Sequence, residues 1–377
     1  MLDKVVIASD SFKGSLTSAQ VAEAVETGVL ACCPDCRIVK LAVADGGEGT
    51  VDALMDTMGG RRVCLEVSDP LGRLTDAVYA ILDDGLTAVM EMSSASGLTL
   101  LSPEERNPME ASTYGTGQMI ADALDRGCRR FLVGIGGSAT NDAGMGMLEA
   151  LGYRFFDRTG NLLRGCGASL SEVVRIDVSQ VRRDVGEAEF MVACDVSSPF
   201  FGPEGAAYVY APQKGATQDM VARLDDGLRC FSKVITETFG TDISVIAGAG
   251  AAGGLGGAFK AFLGAELCKG AEMVLDTVGF DEIIKDADLV ITGEGRIDDQ
   301  TSTGKLPYAV ARRAKNKGVP VIAVCGTAQI PTNPFFSQIC PVTPVDMPLQ
   351  EAMEPSVANS NLIQAVKAFI QDYMSVL

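Results

Sequence analysis

Four loops of the chain place carboxylates beside glycines directly after strand-like segments, and two of these loops also carry a cation, Lys13 or Arg296. The loops span residues 10–16, 45–50, 195–205 and 293–298. Ligands of open parallel sheets bind outside the carboxyl ends of the strands. Phosphoryl transfer uses carboxylates to hold Mg²⁺ and to accept a hydroxyl proton, and cations to neutralise developing charge. One such loop alone is more often an Asx-turn or a helix cap, but four together favour a site for this chemistry.

The loops supply candidates for proton transfer and for charge neutralisation. Asp45 and Asp195 each end a strand-like run, so either is a candidate for the carboxylate that accepts the proton of an attacking hydroxyl, and the sequence does not choose between them. Lys13 and Arg296 are candidates for contacting a transferred phosphate or a substrate carboxylate, with a surface cation as the alternative for each. Asp10 is placed to orient Lys13.

Other polar residues of these segments are candidates for ligand binding. Glu294 and Asp298 are candidate Mg²⁺ ligands, directly or through water, with loop-cap hydrogen bonding as the alternative. Lys305 near the start of a predicted helix opposes the helix dipole, which favours a bound phosphate at that position. The remaining candidates for substrate or phosphate binding are Asp10, Ser11, Ser138, Thr140 and Asn141.

The composition excludes several kinds of chemistry. The 377 residues include no histidine, which removes Ser-His-Asp and Cys-His catalysis and zinc sites that need imidazole. Lys and Arg number 31 against 49 Asp and Glu, a formal net charge of −18. Sequence-independent binding of nucleic acid is therefore not expected, because it needs clustered cations. An anionic substrate would still need a local cationic pocket.

The cellular compartment is predicted from charges and cysteines. Asp3, Lys4 and Asp10 leave an apolar run too short for a signal peptide, and no apolar stretch approaches the roughly 18 residues of a membrane span. Eleven cysteines, an odd number, indicate reduced thiols, so we expect a cytoplasmic protein with no membrane partner. Cys33 and Cys36 form a single C-x-x-C, which we interpret as thiols at a helix end because no second pair follows at zinc-ribbon spacing. The sequence leaves the oligomeric state open, a homodimer included.

Two glycine-rich segments, beginning at Gly134 and Gly248, match the dinucleotide-binding pattern G-x-G-x-x-G/A. They keep open an NAD-dependent hydroxy-acid oxidoreductase, and a non-catalytic metabolite-binding protein is a second alternative. Against the oxidoreductase, residues 137–143 carry hydroxyl, amide and carboxylate groups that suit phosphate or hydroxy-acid contacts better than an apolar dinucleotide turn. The chain has no Walker A sequence, and without histidine it cannot have the protein-kinase catalytic loop.

Alternating strand and helix patterns near both termini predict a doubly wound parallel sheet. Strands are predicted at residues 5–8, 38–44, 288–292 and 320–324, and helices from the Thr17-x-x-Gln20 capping box, over 304–317, and at the C-terminus from Asn359 as N-cap. The middle of the chain predicts an inserted α/β domain with an antiparallel β-meander over 62–81. Within that domain we expect helices over 112–127 and 217–238 and strands at 131–133, 190–193 and 206–210. The predicted domains are 1–61 plus 284–377, which is discontinuous, and 62–283.

At these residues the chain strongly resembles the bacterial glycerate kinase family of the type that phosphorylates D-glycerate with ATP. The matching segments are 10–16, 45–50, 134–144, 194–199 with Gly205, 212–215, 248–254 and 292–305. The resemblance implies a two-domain α/β enzyme, one domain flavodoxin-like or Rossmann-like, with its active site between the domains. It also implies an enzyme that uses ATP and Mg²⁺ and yields 2-phosphoglycerate or 3-phosphoglycerate with ADP in glyoxylate, glycerate or sugar-acid metabolism. One position departs from the family pattern, because Ala143 stands where Gly-Gly usually follows Asn141-Asp142. If position 143 requires a positive φ, alanine there costs free energy.

Overall fold

The computed structural model describes residues 2–47, 49–298, 305–330 and 332–376. Over these residues the strands are β1 (Lys4–Ser9), β2 (Arg37–Ala42), β3 (Arg61–Ser68), β4 (Leu74–Ile81), β5 (Thr87–Glu91), β6 (Arg130–Gly134), β7 (Arg154–Phe156), β8 (Leu162–Leu163), β9 (Arg175–Asp177), β10 (Glu189–Ala193), β11 (Glu266–Cys268), β12 (Leu289–Ile297), β13 (Val321–Ala328) and β14 (Gln338–Pro341).

The α-helices of the same residues are α1 (Ser18–Leu30), α2 (Thr50–Met58), α3 (Ser93–Ser96), α4 (Tyr114–Asp125), α5 (Met145–Ala150), α6 (Ala206–Tyr210), α7 (Gln218–Phe239), α8 (Ala251–Leu263), α9 (Gly270–Thr277), α10 (Phe280–Ile283), α11 (Leu306–Asn316), α12 (Leu349–Ala352) and α13 (Pro355–Val376). Short 3₁₀ helices cover Leu98–Leu100, Pro103–Glu105, Gly167–Glu172, Arg183–Glu187, Pro212–Lys214 and Ile243–Val245.

The chain divides into two compact units. The first unit comprises Met1–Asp45, Asp52–Gly59 and Ala271–Leu377, and the second comprises Gly46–Val51 and Gly60–Gly270. Each unit has its own hydrophobic core, which includes Val5, Ile7 and Leu362 in the first and Phe131 and Phe231 in the second.

The first unit contains a five-stranded sheet in the order β14-β13-β12-β1-β2, and all its neighbouring strands are parallel. From β1 the chain adds β2 on one side, and the later strands β12 to β14 lie on the other side. This reversal is the doubly wound arrangement that the termini predict, and it creates a topological switch point between β1 and β12. The predicted capping box of α1 is confirmed, because Thr17 and Gln20 exchange their side-chain and backbone hydrogen bonds.

The second unit is built on a six-stranded mixed sheet in the order β11-β10-β6-β5-β4-β3. Strands β5, β6, β10 and β11 are parallel, whereas β3-β4 and β4-β5 pair antiparallel. The antiparallel meander predicted over 62–81 is therefore confirmed, and the mixed α/β class holds for both units. A separate three-stranded antiparallel sheet, β8-β7-β9, was not expected from the sequence.

Three local predictions are wrong. The apolar run 206–210 forms helix α6, not a strand, because its buried residues Ala206 and Ala207 are adjacent and Tyr208 and Val209 are exposed. Asn359 lies inside α13, since the helix begins at Pro355, whose fixed φ and missing N–H suit a first turn.

The third wrong prediction is the loop at 293–298, because β12 continues through Ile297 and pairs with β13 as far as Ala328. Gly293 and Gly295 made this segment resemble a loop, because glycine is uncommon inside strands. Gly293 is needed in this strand, because a Cβ there would lie 2.4 Å from the carbonyl oxygen of Val324. The start of the predicted helix over 304–317 falls at residue 304, outside the described residues, and α11 is described from Leu306.

None of the helices in the described ranges combines the length and hydropathy needed to cross a lipid bilayer.

Candidate functional site

Three carboxylates lie at the carboxyl ends of β1, β2 and β12 in the first unit. Asp10 follows β1 directly, Asp45 follows β2, and Glu294 lies in the last part of β12. Because β1 is flanked by β2 and β12 in the sheet, these residues meet at the switch point, where ligands of doubly wound sheets bind. The structure therefore brings together three residues that the sequence places in separate loops.

Asp10 occupies a defined position in this carboxylate cluster. Its backbone N–H donates to the carbonyl oxygen of Gly293 over 2.9 Å, and its Oδ1 accepts the N–H of Ser11 over 2.7 Å. Burial, together with the negative charges of Asp45 and Glu294, raises the pKa of Asp10 from 3.8 to about 7. A carboxyl group with a pKa near neutrality is suited to proton transfer or to binding a cation.

The loops after β1 and β2 are joined by the hydroxyl of Ser18 in the first turn of α1. Ser18 Oγ donates to the carbonyl oxygen of Ser9 over 2.6 Å and accepts the N–H of Val43 over 3.2 Å. This bridge holds the chain just before Asp10 against the chain just before Asp45. The start of α1 therefore positions both carboxylates.

The three cations that the sequence proposes for this unit differ in their contacts and in their exposure. Lys305 is the N-cap of α11, and its Nζ donates to Oε2 of the buried Glu294 over 3.1 Å. Arg296 is half-exposed, and its Nε lies 3.5 Å from Oδ2 of Asp298. The side chain of Lys13 is exposed to solvent. Both predicted metal ligands, Glu294 and Asp298, therefore form ion pairs with cations of the same unit.

Mg²⁺ would be held in this unit by protein carboxylates together with substrate phosphates and water. Among the residues that the structure describes, no group of three Asp, Glu, Cys or His side chains is arranged to hold a metal ion by itself. Mg²⁺ in kinases is usually bound through one or two carboxylates together with substrate phosphates and water. Asp10, Asp45 and Glu294 supply carboxylates of this kind, and a bound cation would relieve the repulsion that raises the pKa of Asp10.

The second unit carries the predicted ligand-binding residues Ser138, Thr140 and Asn141 in the loop between β6 and α5. All three are buried. The fully buried Lys214 donates from Nζ to Oγ of Ser138 over 2.6 Å and to the carbonyl oxygen of Thr140 over 2.7 Å. The structure thus brings these loop residues together around a lysine to which the sequence gave no role.

Asp142 anchors the same loop. Its Oδ2 accepts the N–H and the hydroxyl of Thr113 over 2.8 and 2.7 Å, and the N–H of Gly146 over 3.2 Å. Its Oδ1 accepts the N–H of Gly144 over 3.1 Å. Complete burial raises the pKa of Asp142, although each of these hydrogen bonds opposes the rise. The side chain works as a loop anchor, since four donors occupy its oxygens.

Two residues of the loop bury polar atoms that have no hydrogen-bond partner within the described part of the chain. These atoms are Oγ1 of Thr140 and both Oδ1 and Nδ2 of Asn141. An unpaired buried polar group costs about 1–3 kcal/mol, so each one in a folded protein requires an explanation. Groups that bind a ligand are one such explanation.

Ala143 has φ = 52°, so the departure from Gly-Gly at this position does require the left-handed conformation. Ala252 in the facing segment also has φ = 52°. Alanine in this region costs about 1–2 kcal/mol. Backbone strain of this kind clusters at functional sites, and here it lies on both segments that enclose Thr140 and Asn141.

Substitution of Gly253 tests how tightly the segment around Ala252 packs against the loop that contains Thr140. Its φ is +70°, and a Cβ there would lie 2.1 Å from the carbonyl oxygen of Thr140, whereas Gly264 at the other end of α8 has φ = +65° and open space around its Cβ position. We expect Gly264→Ala to lower the free energy of unfolding by about 1 kcal/mol from backbone strain alone. Gly253→Ala should lower it by at least about 2 kcal/mol more, because the backbone of Thr140 must move.

Urea denaturation of both variants and the wild type measures this difference. Equal losses in the two glycine variants would contradict the close packing of Gly253 against Thr140.

Asp195 lies in the second unit, two residues after β10, and is exposed. Its Oδ1 accepts the N–H of Gly270 over 3.1 Å. The described geometry gives Asp195 a fixed backbone partner.

Neither dinucleotide-like segment has the strand-turn-helix setting of that fingerprint. Gly134 ends β6, but the next helix begins only at Met145. Gly248 precedes α8, but the element before it is a 3₁₀ helix, Ile243–Val245, and not a strand. The fingerprint requires a strand that leads through the glycines directly into a helix, so the oxidoreductase alternative is not favoured.

The residue that the sequence missed is Lys214. It lies in the segment Pro212-Gln213-Lys214-Gly215, which carried part of the family resemblance, and membership of that segment was the available signal. Nothing local indicates that its side chain is buried, because that depends on the loop at 138–140.

Comparison with known proteins gives a consistent result. The model of the Glycerate kinase family matches residues 5–374. The glycerate kinase of Halalkalibacterium halodurans is 48% identical over 326 residues, covering 86% of this chain and 86% of that protein. The glycerate kinase of Bacillus subtilis is 45% identical over 355 residues, covering 93% of each. The glycerate 2-kinase of Escherichia coli is 44% identical over 324 residues, covering 86% of this chain and 85% of that protein.

A solved structure shows the same similarity in three dimensions. The crystal structure of a protein from Salmonella typhimurium assigned as glycerate kinase 2 matches with a TM-score of 0.92 and 41% sequence identity, covering 100% of this chain and 99% of that chain.

Proposed function

The chain belongs to the glycerate kinase family, and from this premise we propose that it transfers the γ-phosphate of ATP to a hydroxyl of D-glycerate, giving phosphoglycerate and ADP. The observation that carries this function is the match of the family model over residues 5–374. The carboxylates and Lys305 at the switch point of the first unit are the groups that this reaction requires. We assign the product as 2-phosphoglycerate, the regiochemistry named for the Escherichia coli relative.

The proton of the attacking hydroxyl needs a carboxylate acceptor. Asp45 and Asp195 are the candidates from the sequence, and Asp10 joins them because its pKa of about 7 is near the value at which a general base works best at neutral pH. We assign the acceptor to the Asp10–Asp45 pair, where the charge of Asp45 helps to raise the pKa of Asp10. Asp195 is the alternative acceptor, in the second unit.

Charge on the transferred phosphoryl group is neutralised by cations of the first unit. We assign this role to Lys305, with Lys13 and Arg296 as further phosphate contacts. Lys305 supports the assignment best, because it caps an 11-residue helix whose N-terminus also attracts anions. Ser11 follows Asp10 in the same loop and is a candidate for a phosphate contact.

ATP is expected to bind as its Mg²⁺ complex. When bound, Mg²⁺ would supply positive charge that neutralises the transferring phosphoryl group. Asp10, Asp45 and Glu294 are the carboxylates of this unit available to it, and Asp298 is the further candidate from the sequence. Their negative charges also keep a free phosphate anion away unless a cation accompanies it.

Release of ADP tests the function. Purified protein with MgATP should release ADP at a rate that depends on D-glycerate and is abolished by EDTA, with L-glycerate, glycolate, lactate and no acid as controls. Phosphorus NMR of the product then distinguishes 2-phosphoglycerate from 3-phosphoglycerate. Folded protein that releases no ADP with D-glycerate would contradict the proposed function.

We also propose a cytoplasmic location. All eleven cysteines are free thiols, and Cys128 and Cys325 are among those buried. A reducing compartment keeps such thiols from oxidation.

A further inference from the structure

Lys214 ends the 3₁₀ helix Pro212–Lys214 and is 1% exposed. Its Nζ reaches two residues on the loop between β6 and α5, the hydroxyl of Ser138 and the carbonyl oxygen of Thr140. These two acceptors are separated by a single residue, so the lysine closes a small ring with the loop. The side chain therefore restrains the loop at the turn that precedes Asn141.

The contacts of Lys214 differ from those of an ordinary buried ion pair. A buried ammonium usually pairs with a carboxylate, because an unpaired charge is costly. Asp142 is near enough to influence Lys214 electrostatically, but the hydrogen bonds to the Asp142 oxygens come from Thr113, Gly144 and Gly146. Burial lowers the pKa of Lys214 to about 7, and even the neutral amine has the two N–H bonds that its two acceptors require.

The hydrogen bonds of Lys214 do not involve the side chains of Thr140 and Asn141. Lys214 occupies the hydroxyl of Ser138 and the carbonyl oxygen of Thr140, whereas Oγ1 of Thr140 and the side-chain amide of Asn141 have no partner among the described residues. Both residues are 0% exposed, so these groups are preorganised at a desolvation cost. A hydroxyl and an amide together match the carboxylate and hydroxyl oxygens of a small hydroxy acid.

We propose that Lys214 is a positioning residue that holds the loop at 138–141, so that Thr140 Oγ1 and the Asn141 amide bind the oxygens of the hydroxy-acid substrate. Ser138 then serves as the anchor of the lysine. The substrate part of this inference rests on the proposed function, whereas the restraint on the loop does not.

Steady-state kinetics of Lys214→Met and Ser138→Ala test the substrate part. Each variant removes hydrogen bonds from the restraint, so the KM for D-glycerate should rise about five- to tenfold, the size of one net hydrogen bond, while the KM for ATP stays within about twofold. Tyr79→Phe is the matched control, because it removes a partly buried hydrogen bond of 2.7 Å to Asp122 in the same unit. It should leave both KM values unchanged.

Hydrogen exchange of the ligand-free variants tests the restraint independently of activity. Amides of residues 135–144 should exchange faster in Lys214→Met and Ser138→Ala than in Tyr79→Phe and the wild type. Unchanged exchange in that segment would overturn the positioning role, as would equal increases in the KM for both substrates or a loss of thermal stability alone. A wild type without D-glycerate-dependent turnover would instead contradict the proposed function, and the exchange result would still decide the restraint.

Discussion

Asp10→Asn is expected to lower kcat by two or more orders of magnitude at pH 8 and, at the same pH, to make the folded protein more stable. Loss of a general base or of a carboxylate that binds the metal costs about 10²–10⁴-fold in turnover. The gain in stability arises because burial and the charges of Asp45 and Glu294 oppose the ionised form of Asp10 in the folded state. A neutral amide removes this penalty.

The pH dependence of this gain has a definite sign. The pKa of Asp10 is about 7 in the folded protein against an ordinary value of 3.8, so the stability that this group contributes is fully present below pH 3.8 and is lost as the pH rises through 7. The stabilising effect of Asp10→Asn is therefore largest above pH 7 and diminishes towards pH 5. This change in the pKa of Asp10 corresponds to a few kcal/mol of unfolding free energy, at about 1.4 kcal/mol per pH unit. The Tm of Asp10→Asn at pH 8 should therefore exceed that of the wild type by about 4 °C or more.

Thermal unfolding at pH 5 and pH 8 and the pH profile of kcat/KM measure these effects together. In the wild type, kcat/KM for MgATP should fall below about pH 7 as Asp10 becomes protonated, because this ratio reports the enzyme before the metal complex binds. Asp45→Asn removes a repelling charge and should move this limb to lower pH, whereas Asp195→Asn should leave it in place. A turnover of Asp10→Asn within about threefold of the wild type would exclude Asp10 from the reaction.

The same set of variants identifies the acceptor. If Asp45→Asn lost its turnover and also lost the fall of kcat/KM at low pH, Asp45 itself would be the acceptor. A loss of turnover confined to Asp195→Asn would transfer that role to the second unit.

Lys305→Met is expected to lower kcat/KM for MgATP by about 10²–10³-fold, the size of one charge-stabilising contact in a transition state. The side chain is 37% exposed, so its ammonium can reach a ligand while it also contacts Glu294. The N-terminus of α11 adds a partial positive charge at the same place. The substitution leaves the buried Glu294 without this cation, so a loss of stability is expected as well.

Two further variants separate the loss of activity from the loss of stability. Lys315→Met lies in the last turn of the same helix, where Lys315 contacts the carbonyl oxygen of Pro334, and should change kcat/KM by less than about twofold. The double variant Glu294→Gln, Lys305→Met should be more stable than Lys305→Met, because the amide at position 294 does not carry the charge that Lys305 neutralises. A change of kcat/KM for MgATP in Lys305→Met no larger than that in Lys315→Met would make Lys305 only the ion-pair partner of Glu294.

The first elements of the chain were predicted correctly because their signals are local. Strand β1 is a short apolar run, and α1 begins at a capping box whose two hydrogen bonds join residues three positions apart. The failures at 206–210 and in β12 have the opposite origin, because which residues are buried and how closely strands approach depend on distant parts of the chain, as the carbonyl oxygen of Val324 shows for Gly293. The choice of Asn359 overlooked a local signal, the proline at the start of α13.

The candidate site was predicted as a set of residues but not as an arrangement. Asp10, Asp45 and Glu294 were each selected because a carboxylate follows a strand in a glycine-containing segment, and Lys305 because it stands at the start of a predicted helix. Which of them lie together depends on the strand order, which places β1 beside β12 although about 280 residues separate them in the chain. The sequence also proposed Ser138 as a ligand contact, whereas in the structure its hydroxyl accepts a hydrogen bond from Lys214.

The sequence by itself determined the absence of histidine chemistry, the α/β class, the residue types available for phosphoryl transfer and the family resemblance. These properties depend on composition and on patterns a few residues long, which the chain displays before it folds. Only the tertiary structure decided that Asp10 has a pKa of about 7, that Lys214 is buried and that Ala143 takes a positive φ. Each of these properties depends on burial, or on charges or backbone that folding brings close. Burial and nearby charges set the pKa of an ionisable group, and both are decided by the tertiary structure.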